Sequence, residues 1–193
     1  MATMYHLFFG ILFIAVCGAV GTGHPLIVAK HVPSLQERAE STLRQEVIGI
    51  ALQEIGVREA TGNNDGKRVE EYLRYTGLGK GYAWCSAFVS WCYGQAGLIE
   101  PRNPWSPALF PNARTYCRGD ACGRPITLTQ IKPADIFGIY GQSVRRINHV
   151  GLIKDIKGKY LRTIEGNSNN RVESKRRHLS TIYAVADWIG GGR

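Results

Sequence analysis

Charged side chains are missing from the start of this sequence: residues 1–23 contain no Lys, Arg, Asp or Glu. Residues 7–20 within this stretch are apolar, too short a run to span a bilayer comfortably but suited to a secretory signal. Small residues follow, as at a cleavage site. We therefore expect export, with residues 1–23 a signal peptide or membrane anchor, 24–33 a linker and 34–193 the folded domain. A buried amino-terminal helix is the alternative.

Metal-binding patterns are also missing. The chain has five cysteines but no Cys-x-x-Cys pair, and no histidines at zinc spacing, so we expect no metal. Cys117 and Cys122 flank four residues, and the sequence leaves open whether they form a disulfide or stay independent thiols. Cys92 follows Cys85 within an apolar stretch, which favours a buried role for it.

Acidic residues are few relative to basic ones: 15 Asp and Glu stand against 24 Lys and Arg, for a formal net charge of +9. This balance favours a polyanionic partner, which includes nucleic acid, anionic lipid and anionic wall polymer. No nucleic-acid-binding motif is present, so we expect no nucleic-acid partner. A hydrophobic content of 44%, without repeats or low-complexity segments, predicts one globular domain.

Hydrophobic periodicity predicts helices first and strands afterwards. Ser34 and Glu37 have the spacing of a capping box at the start of the first helix. The predicted helices cover 34–56, 67–75 and 83–97, the third apolar on nearly all sides and therefore buried. After an irregular segment at 100–125, short β-like runs cover 136–140, 149–154, 160–165 and 182–188. This order predicts an α+β fold with an antiparallel sheet.

Cys85 is a candidate nucleophile because it follows a glycine-rich break and opens the third helix. A helix amino terminus favours the thiolate, and its free backbone amides stabilise an oxyanion. His149, at the start of a predicted strand, is the best placed base. Glu165 and Asn167, on the neighbouring strand, are candidates to orient it. Taken singly, a core cysteine, a structural histidine and a solvated glutamate remain alternatives.

Four further residues are candidates for substrate contact. Tyr82 and Trp84 lie beside the candidate nucleophile and suit stacking on a substrate, although core packing explains them equally well. Asn64 and Asp65 lie in a turn-rich loop and are candidates to line a groove, although capping of the next helix is the more ordinary role. The basic run 171–177 is either a contact for anionic wall polymer or a solvated face.

Four sequence blocks resemble the signature blocks of the CHAP family, the cysteine/histidine-dependent amidohydrolases and peptidases related to the NlpC/P60 proteins. They occur in the family's order and at similar separations, at residues 82–91 (YAWCSAFVSW), 133–136 (PADI), 149–153 (HVGLI) and 164–167 (IEGN). The combination is specific, whereas each block alone is a weak signal. The resemblance extends over residues 41–188.

This resemblance implies a papain-like α+β fold in which the cysteine helix packs on an antiparallel sheet. It also implies Cys85 as nucleophile, His149 as general base, and Glu165 and Asn167 as orienting residues. The implied substrate is peptidoglycan, cut either at the N-acetylmuramoyl-L-alanine amide or at a peptide bond of the stem. The implied location is the bacterial periplasm, cell envelope or exterior, with a membrane tether as a variant.

The resemblance also bears on cofactors and on oligomeric state. The calcium loop of some CHAP members has no counterpart before Cys85, so no cofactor is expected. We expect a monomer. The alternative function is a non-catalytic, basic wall-binding protein on the same fold.

Overall fold

The computed structural model describes residues 32–119 and 121–190. The predicted signal segment 1–23 and all of the predicted linker except residues 32 and 33 lie outside the described residues. No helix within the described ranges is both long enough and apolar enough to cross a membrane.

The described part of the chain begins with three α-helices: α1 (Leu35–Gln53), α2 (Lys67–Tyr75) and α3 (Cys85–Gln95). The predicted capping box at the start of α1 is present. The Glu37 amide donates to Ser34 Oγ at 3.1 Å, and the Ser34 amide donates to Glu37 Oε2 at 2.7 Å. Helix α3 begins two residues later than predicted, because Trp84 has the non-helical backbone of a cap residue. Cys85 is therefore the first residue of α3.

Six strands follow in one antiparallel sheet: β1 (Thr115–Cys117), β2 (Ile136–Gly141), β3 (Arg146–Lys157), β4 (Tyr160–Ser168), β5 (Arg171–His178) and β6 (Ala184–Ala186). Their spatial order is β1-β6-β2-β3-β4-β5. The predicted α+β class with an antiparallel sheet is confirmed.

Strand β5 was not predicted from the sequence. Its residues read RVESKRRH, and among them only Val172 is a buried apolar residue. Charged side chains are typical of edge strands, where they discourage pairing with other chains. The basic run 171–177 is therefore an edge strand of the sheet rather than a loose surface segment. Its pairing with β4 determines which residues its side chains contact.

Helix α3 packs against the sheet with every residue from Cys85 to Tyr93 buried. The close approach of β4 requires a glycine at position 166. A Cβ there would lie 2.7 Å from Phe88 Cβ and 2.8 Å from the Trp84 ring. The predicted third helix is thus the centre of the core, and Gly166 brings the strand that follows Glu165 directly against it.

The block 133–136 has a structural role. The guanidinium of Arg44 in α1 donates to Asp135 Oδ1 at 2.7 Å and to the Pro133 carbonyl at 2.9 Å. It also donates to Asp187 Oδ1, beyond β6, at 2.6 Å. Arg44 and Asp135 are both buried, so each needs the other to compensate its charge. This cluster fixes α1 to the start of β2 and to the segment after β6.

Cys117 and Cys122 form a disulfide, which resolves the alternative that the sequence left open. The bond closes a short loop after β1. Cys92 is a fully buried free thiol inside α3.

Candidate active site

Cys85 lies where the amino terminus of α3 meets strand β3. Its side chain is almost completely buried, at 4% exposure, and its Sγ lies 3.6 Å from Ser106 Oγ. The first turn of an α-helix leaves backbone N–H groups without helical partners. The thiol thus stands beside amide donors able to stabilise negative charge, as the sequence predicted.

His149 lies on β3 with its ring held from one side. Its Nε2 is 2.8 Å from Glu165 Oε2 on the adjacent strand β4. Because Nε2 serves Glu165, Nδ1 is the ring nitrogen left to exchange a proton with Cys85. The ring of Phe137 on β2 lies edge-on to the imidazole, with 6.3 Å between centroids. The predicted pairing of His149 with Glu165 is thus present in the structure.

Glu165 is completely buried and receives hydrogen bonds from three side chains. Besides His149, Thr163 Oγ1 donates to Oε1 at 2.5 Å. Arg177 donates from Nε to Oε1 at 2.6 Å and from Nη2 to Oε2 at 2.5 Å. Burial alone would raise the pKa of this carboxyl, but the bonds from Arg177, His149 and Thr163 outweigh it and lower the pKa to about 2. Glu165 is therefore an anion at any ordinary pH.

The charges of Cys85 and His149 support each other. Burial raises the pKa of the Cys85 thiol, but hydrogen bonding to His149 and the imidazolium charge more than offset this, so the pKa is lowered. Burial lowers the pKa of His149, whereas Cys85 and Glu165 raise it, with a net result of about 9. The two residues thus favour a thiolate–imidazolium pair, which is the reactive form of a cysteine nucleophile.

A cleft of about 320 Å³ opens onto Cys85. Two exposed aromatic residues line it, Tyr82 and Trp105, each 58% exposed. Among the described residues that line it, Arg146, at the start of β3, is charged and none carries a carboxylate. Tyr82, a predicted substrate contact, is thus one of the residues that line the cleft at Cys85. A peptide with exposed apolar surface and a negative charge suits these walls.

Trp84 does not face the cleft. It is 0% exposed, and its indole Nε1 donates to Glu59 Oε1 at 2.8 Å. The predicted stacking of Trp84 on substrate is therefore wrong, because the indole is enclosed between α2 and β4. Its buried indole anchors the backbone immediately before Cys85.

Asn167 occupies a different position from the one predicted. With its amide oxygen turned to Trp84, it accepts from the indole Nε1 and the backbone N of that residue, each at 3.0 Å. In the opposite amide orientation, its Nδ2 donates to Asn64 Oδ1 at 2.8 Å. Asn167 thus acts on the segment that carries the nucleophile, whereas Glu165 alone of the two predicted orienting residues binds His149.

Asn64 and Asp65 have their polar groups engaged within the protein. The Asn64 amide N–H donates to Glu59 Oε2 at 2.9 Å, and its side chain donates to the Gly81 carbonyl at 3.3 Å. Asp65 accepts from the Thr61 amide at 2.9 Å and from its hydroxyl at 2.8 Å. Both residues brace the loop before α2. Neither lines the cleft at Cys85, and neither caps α2, whose N-cap residue is Gly66 and which has no side-chain cap.

Two residues of the site were not found by sequence reasoning. Ser106 lies in the irregular segment, where no periodicity indicates an inward side chain. Arg177 lies in the basic run, and only the pairing of β5 with β4 brings it to Glu165. No cluster of three metal-binding side chains occurs within residues 32–119 and 121–190.

Comparison with known proteins finds a family model that matches the part of the chain containing this site. Residues 77–167 match the family model of the CHAP domain. Among solved structures, the chain is similar to the peptidoglycan hydrolase RipB of Mycobacterium tuberculosis, at 16% identity over 84% of this chain and 74% of that one, with a TM-score of 0.49. It is also similar to the P60 domain of an M. avium paratuberculosis antigen, at 14% identity over 80% and 99%, with a TM-score of 0.49.

No curated protein sequence matches the chain. The predicted resemblance to the CHAP family is confirmed over residues 77–167, the segment that contains Cys85, His149, Glu165 and Asn167.

Proposed function

We propose that this protein is an exported peptidoglycan hydrolase that cuts an amide bond of the stem peptide with Cys85 as nucleophile. The observation that carries the proposal is the chain of contacts from Ser106 and Cys85 through His149 to Glu165, of which Ser106 and Cys85 line an open cleft. The CHAP match of residues 77–167 supports the reaction class. The similar chain RipB is described as a peptidoglycan hydrolase, which names the substrate that we propose.

The first half of the reaction acylates the enzyme. The Cys85 thiolate attacks the amide carbonyl, and the amides of the first turn of α3 stabilise the resulting oxyanion. Protonated His149 then donates its Nδ1 proton to the leaving amine as the carbon–nitrogen bond breaks. The product is a thioester on Cys85 and a free amino terminus.

The second half restores the enzyme. Neutral His149 takes a proton from a water molecule, which attacks the thioester carbonyl. The carbon–sulfur bond breaks, the acid product leaves, and the thiolate–imidazolium pair forms again. Glu165 stays ionised throughout and stabilises the positive charge of His149 through its Nε2. No step requires a metal or an organic cofactor.

The cleft lining supports a peptide substrate with free carboxylates. Stem peptides of peptidoglycan carry such groups, and Arg146 supplies a cation beside Cys85. Tyr82 and Trp105 offer flat apolar surfaces to the sugar–peptide junction or to side chains. These features suit a muramoyl–L-alanine amide and a bond within the stem equally well, so the proposal covers either bond and the reaction products decide between them.

Purified muropeptides of known structure test this proposal. We expect the protein to convert each muropeptide to two products, whose summed mass exceeds that of the intact muropeptide by one water. Release of the whole stem peptide identifies an amidase, and a shortened stem identifies an endopeptidase. If the protein binds peptidoglycan but cleaves none of several wall types, the non-catalytic wall-binding function replaces this proposal.

A further inference from the structure

The strongest unassigned feature beside the catalytic residues is the environment of Glu165. This carboxylate is completely buried, and a buried charge is stable only when it is paired and hydrogen-bonded. Oε2 is shared between His149 and Arg177, and Oε1 is shared between Thr163 and Arg177. Both oxygens are therefore bound in fixed directions.

Arg177 provides the geometry that fixes this carboxylate. Its two bonds to Glu165 form the parallel fork that only a guanidinium makes with a carboxylate. The Arg177 guanidinium also lies over the Phe137 ring, 5.7 Å from its centroid. Phe137 in turn contacts the His149 ring. Arg177 thus reaches the catalytic histidine by two routes, one polar and one through an aromatic ring.

We propose that Arg177 is a positioning residue of this active site, which keeps Glu165 ionised and aligned so that His149 retains its proton and its orientation. This inference rests on the proposed thiol mechanism. It does not depend on which bond or which polymer is cut. It also gives the basic strand β5 a role in the site, which neither the charge of the strand nor its position at the sheet edge would suggest.

The other charged groups nearby do not replace Arg177. Glu173 lies opposite Glu165 in the β4–β5 register. The nearby cations Arg171 and Lys175 form ion pairs with Glu173, at 3.0 Å and 3.1 Å, and not with Glu165. On the side of α3 and β3, the titratable groups that face the pair are Cys85 and His149. Among the described residues, Arg177 is thus the one permanent cation that forms an ion pair with Glu165.

The direction of the pKa changes that follow the loss of Arg177 can be predicted. Without its hydrogen bonds, burial dominates and the pKa of Glu165 rises from its lowered value. Below the new pKa the neutral carboxyl no longer stabilises the imidazolium, so His149 gives up its proton more readily. The Cys85 thiolate then loses its counter-ion, and it forms only at higher pH.

The test is the pH dependence of Cys85 alkylation by iodoacetamide, followed by mass spectrometry of the peptide that contains Cys85. We expect Arg177→Met to move the midpoint of thiolate formation upward by about one pH unit or more, which is a tenfold change in proton affinity. Arg177→Lys retains the charge without the fork and should show a smaller upward shift. Because alkylation needs no peptidoglycan, this result is independent of the proposed substrate.

Arg162→Met is the matched control. Arg162 forms an equally close pair with Asp155, at 2.5 Å, on the same sheet but away from Glu165. Its loss changes the net charge by the same amount and should leave the midpoint unchanged. If folded Arg177→Met and Arg177→Lys keep the wild-type midpoint, or shift it downward, the proposal is overturned.

A double-mutant cycle separates positioning from a general loss of stability. In a Glu165→Gln protein the carboxylate is already gone, so a further Arg177→Lys change should move the midpoint little. An equal shift with and without Glu165 would show that Arg177 does not act through this carboxylate. This arm also decides the matter if Arg177→Met does not fold.

Discussion

The proposed catalytic residues form a line in which each side chain alters the charge of the next. His149 lowers the pKa of Cys85, and Cys85 and Glu165 raise the pKa of His149. Arg177 in turn lowers the pKa of Glu165. Each of these groups is largely buried, so each would be unfavourable as an isolated charge. The charged forms of these residues therefore depend on one another, and the loss of one side chain changes the ionisation of the others.

The pH dependence of Cys85 reactivity is the first prediction at this scale. Since the pKa of Cys85 is lowered, alkylation should already be fast below pH 8, where an ordinary thiol is mostly protonated. Peptidoglycan hydrolysis should fall as the pH rises above about 9, where His149 loses the proton that the leaving amine requires. Alkylation and hydrolysis rates measured from pH 5 to about 10 check both limbs.

Cys92 is the internal control for that measurement. It is fully buried, and burial raises its pKa well above the ordinary value, so it should stay unmodified across the range. If Cys85 reacts only at the pH of an ordinary thiol, the thiolate–imidazolium pair is absent.

A second prediction concerns Arg146. Arg146→Met should lower kcat/KM about 10- to 100-fold for muropeptides with free carboxylates, because a charge-assisted hydrogen bond contributes about 1.5–3 kcal/mol. Muropeptides in which those carboxylates are amidated should lose much less. Arg145→Met, one residue outside the cleft lining, is the control. Equal losses on both substrates would show that Arg146 does not recognise a carboxylate.

Sequence reasoning selected residues that lie together in the structure where a residue type and its local setting were enough. Cys85 at a helix start and His149 at a strand start follow from local patterns, and the hairpin β3–β4 brings Glu165 to His149. Trp84 and Asn167 were misjudged because their contacts come from Glu59 and Asn64, in a loop distant in sequence. No local pattern indicates which face of an apolar helix start is enclosed.

At the scale of elements, each part of the fold contributes one residue to the proposed catalytic site. Helix α3 provides the proposed nucleophile, β3 the proposed base, β4 the carboxylate and β5 its arginine. The helices and four strands were predictable because burial imposes periods of 3.6 and 2 residues on them. Strand β5 was not, because an edge strand with one buried apolar residue has no such period. The prediction of a solvated basic run described its composition and missed its pairing.

The attachment of α1 gives a prediction at this scale. Arg44→Met should destabilise the protein by about 3–5 kcal/mol, because Asp135 would remain buried without its counter-charge. Urea unfolding followed by fluorescence measures this loss. Arg38→Met, on the exposed side of the same helix, should change stability by less than about 0.5 kcal/mol. A similar loss in both variants would contradict the assigned role of the Arg44 cluster.

At the scale of the whole molecule, the formal charge of +9 complements an anionic wall. We expect binding to insoluble cell walls to weaken as the salt concentration rises from about 0.05 M to 0.5 M, because the Debye length falls well below the spacing of surface charges. Walls stripped of anionic polymer should bind less at low salt. Sedimentation with the walls measures both effects. Salt-independent binding would assign retention to the cleft rather than to net charge.

The most direct test of the central claim is digestion of purified peptidoglycan by the wild-type protein, Cys85→Ala and Cys92→Ala. The two substitutions each remove one thiol from α3, so they differ only in whether that thiol faces His149 or the core. The account predicts soluble fragments with new amino termini from the wild type and Cys92→Ala, and none from Cys85→Ala. Release of the same fragments by Cys85→Ala would contradict the assignment of Cys85 as the nucleophile.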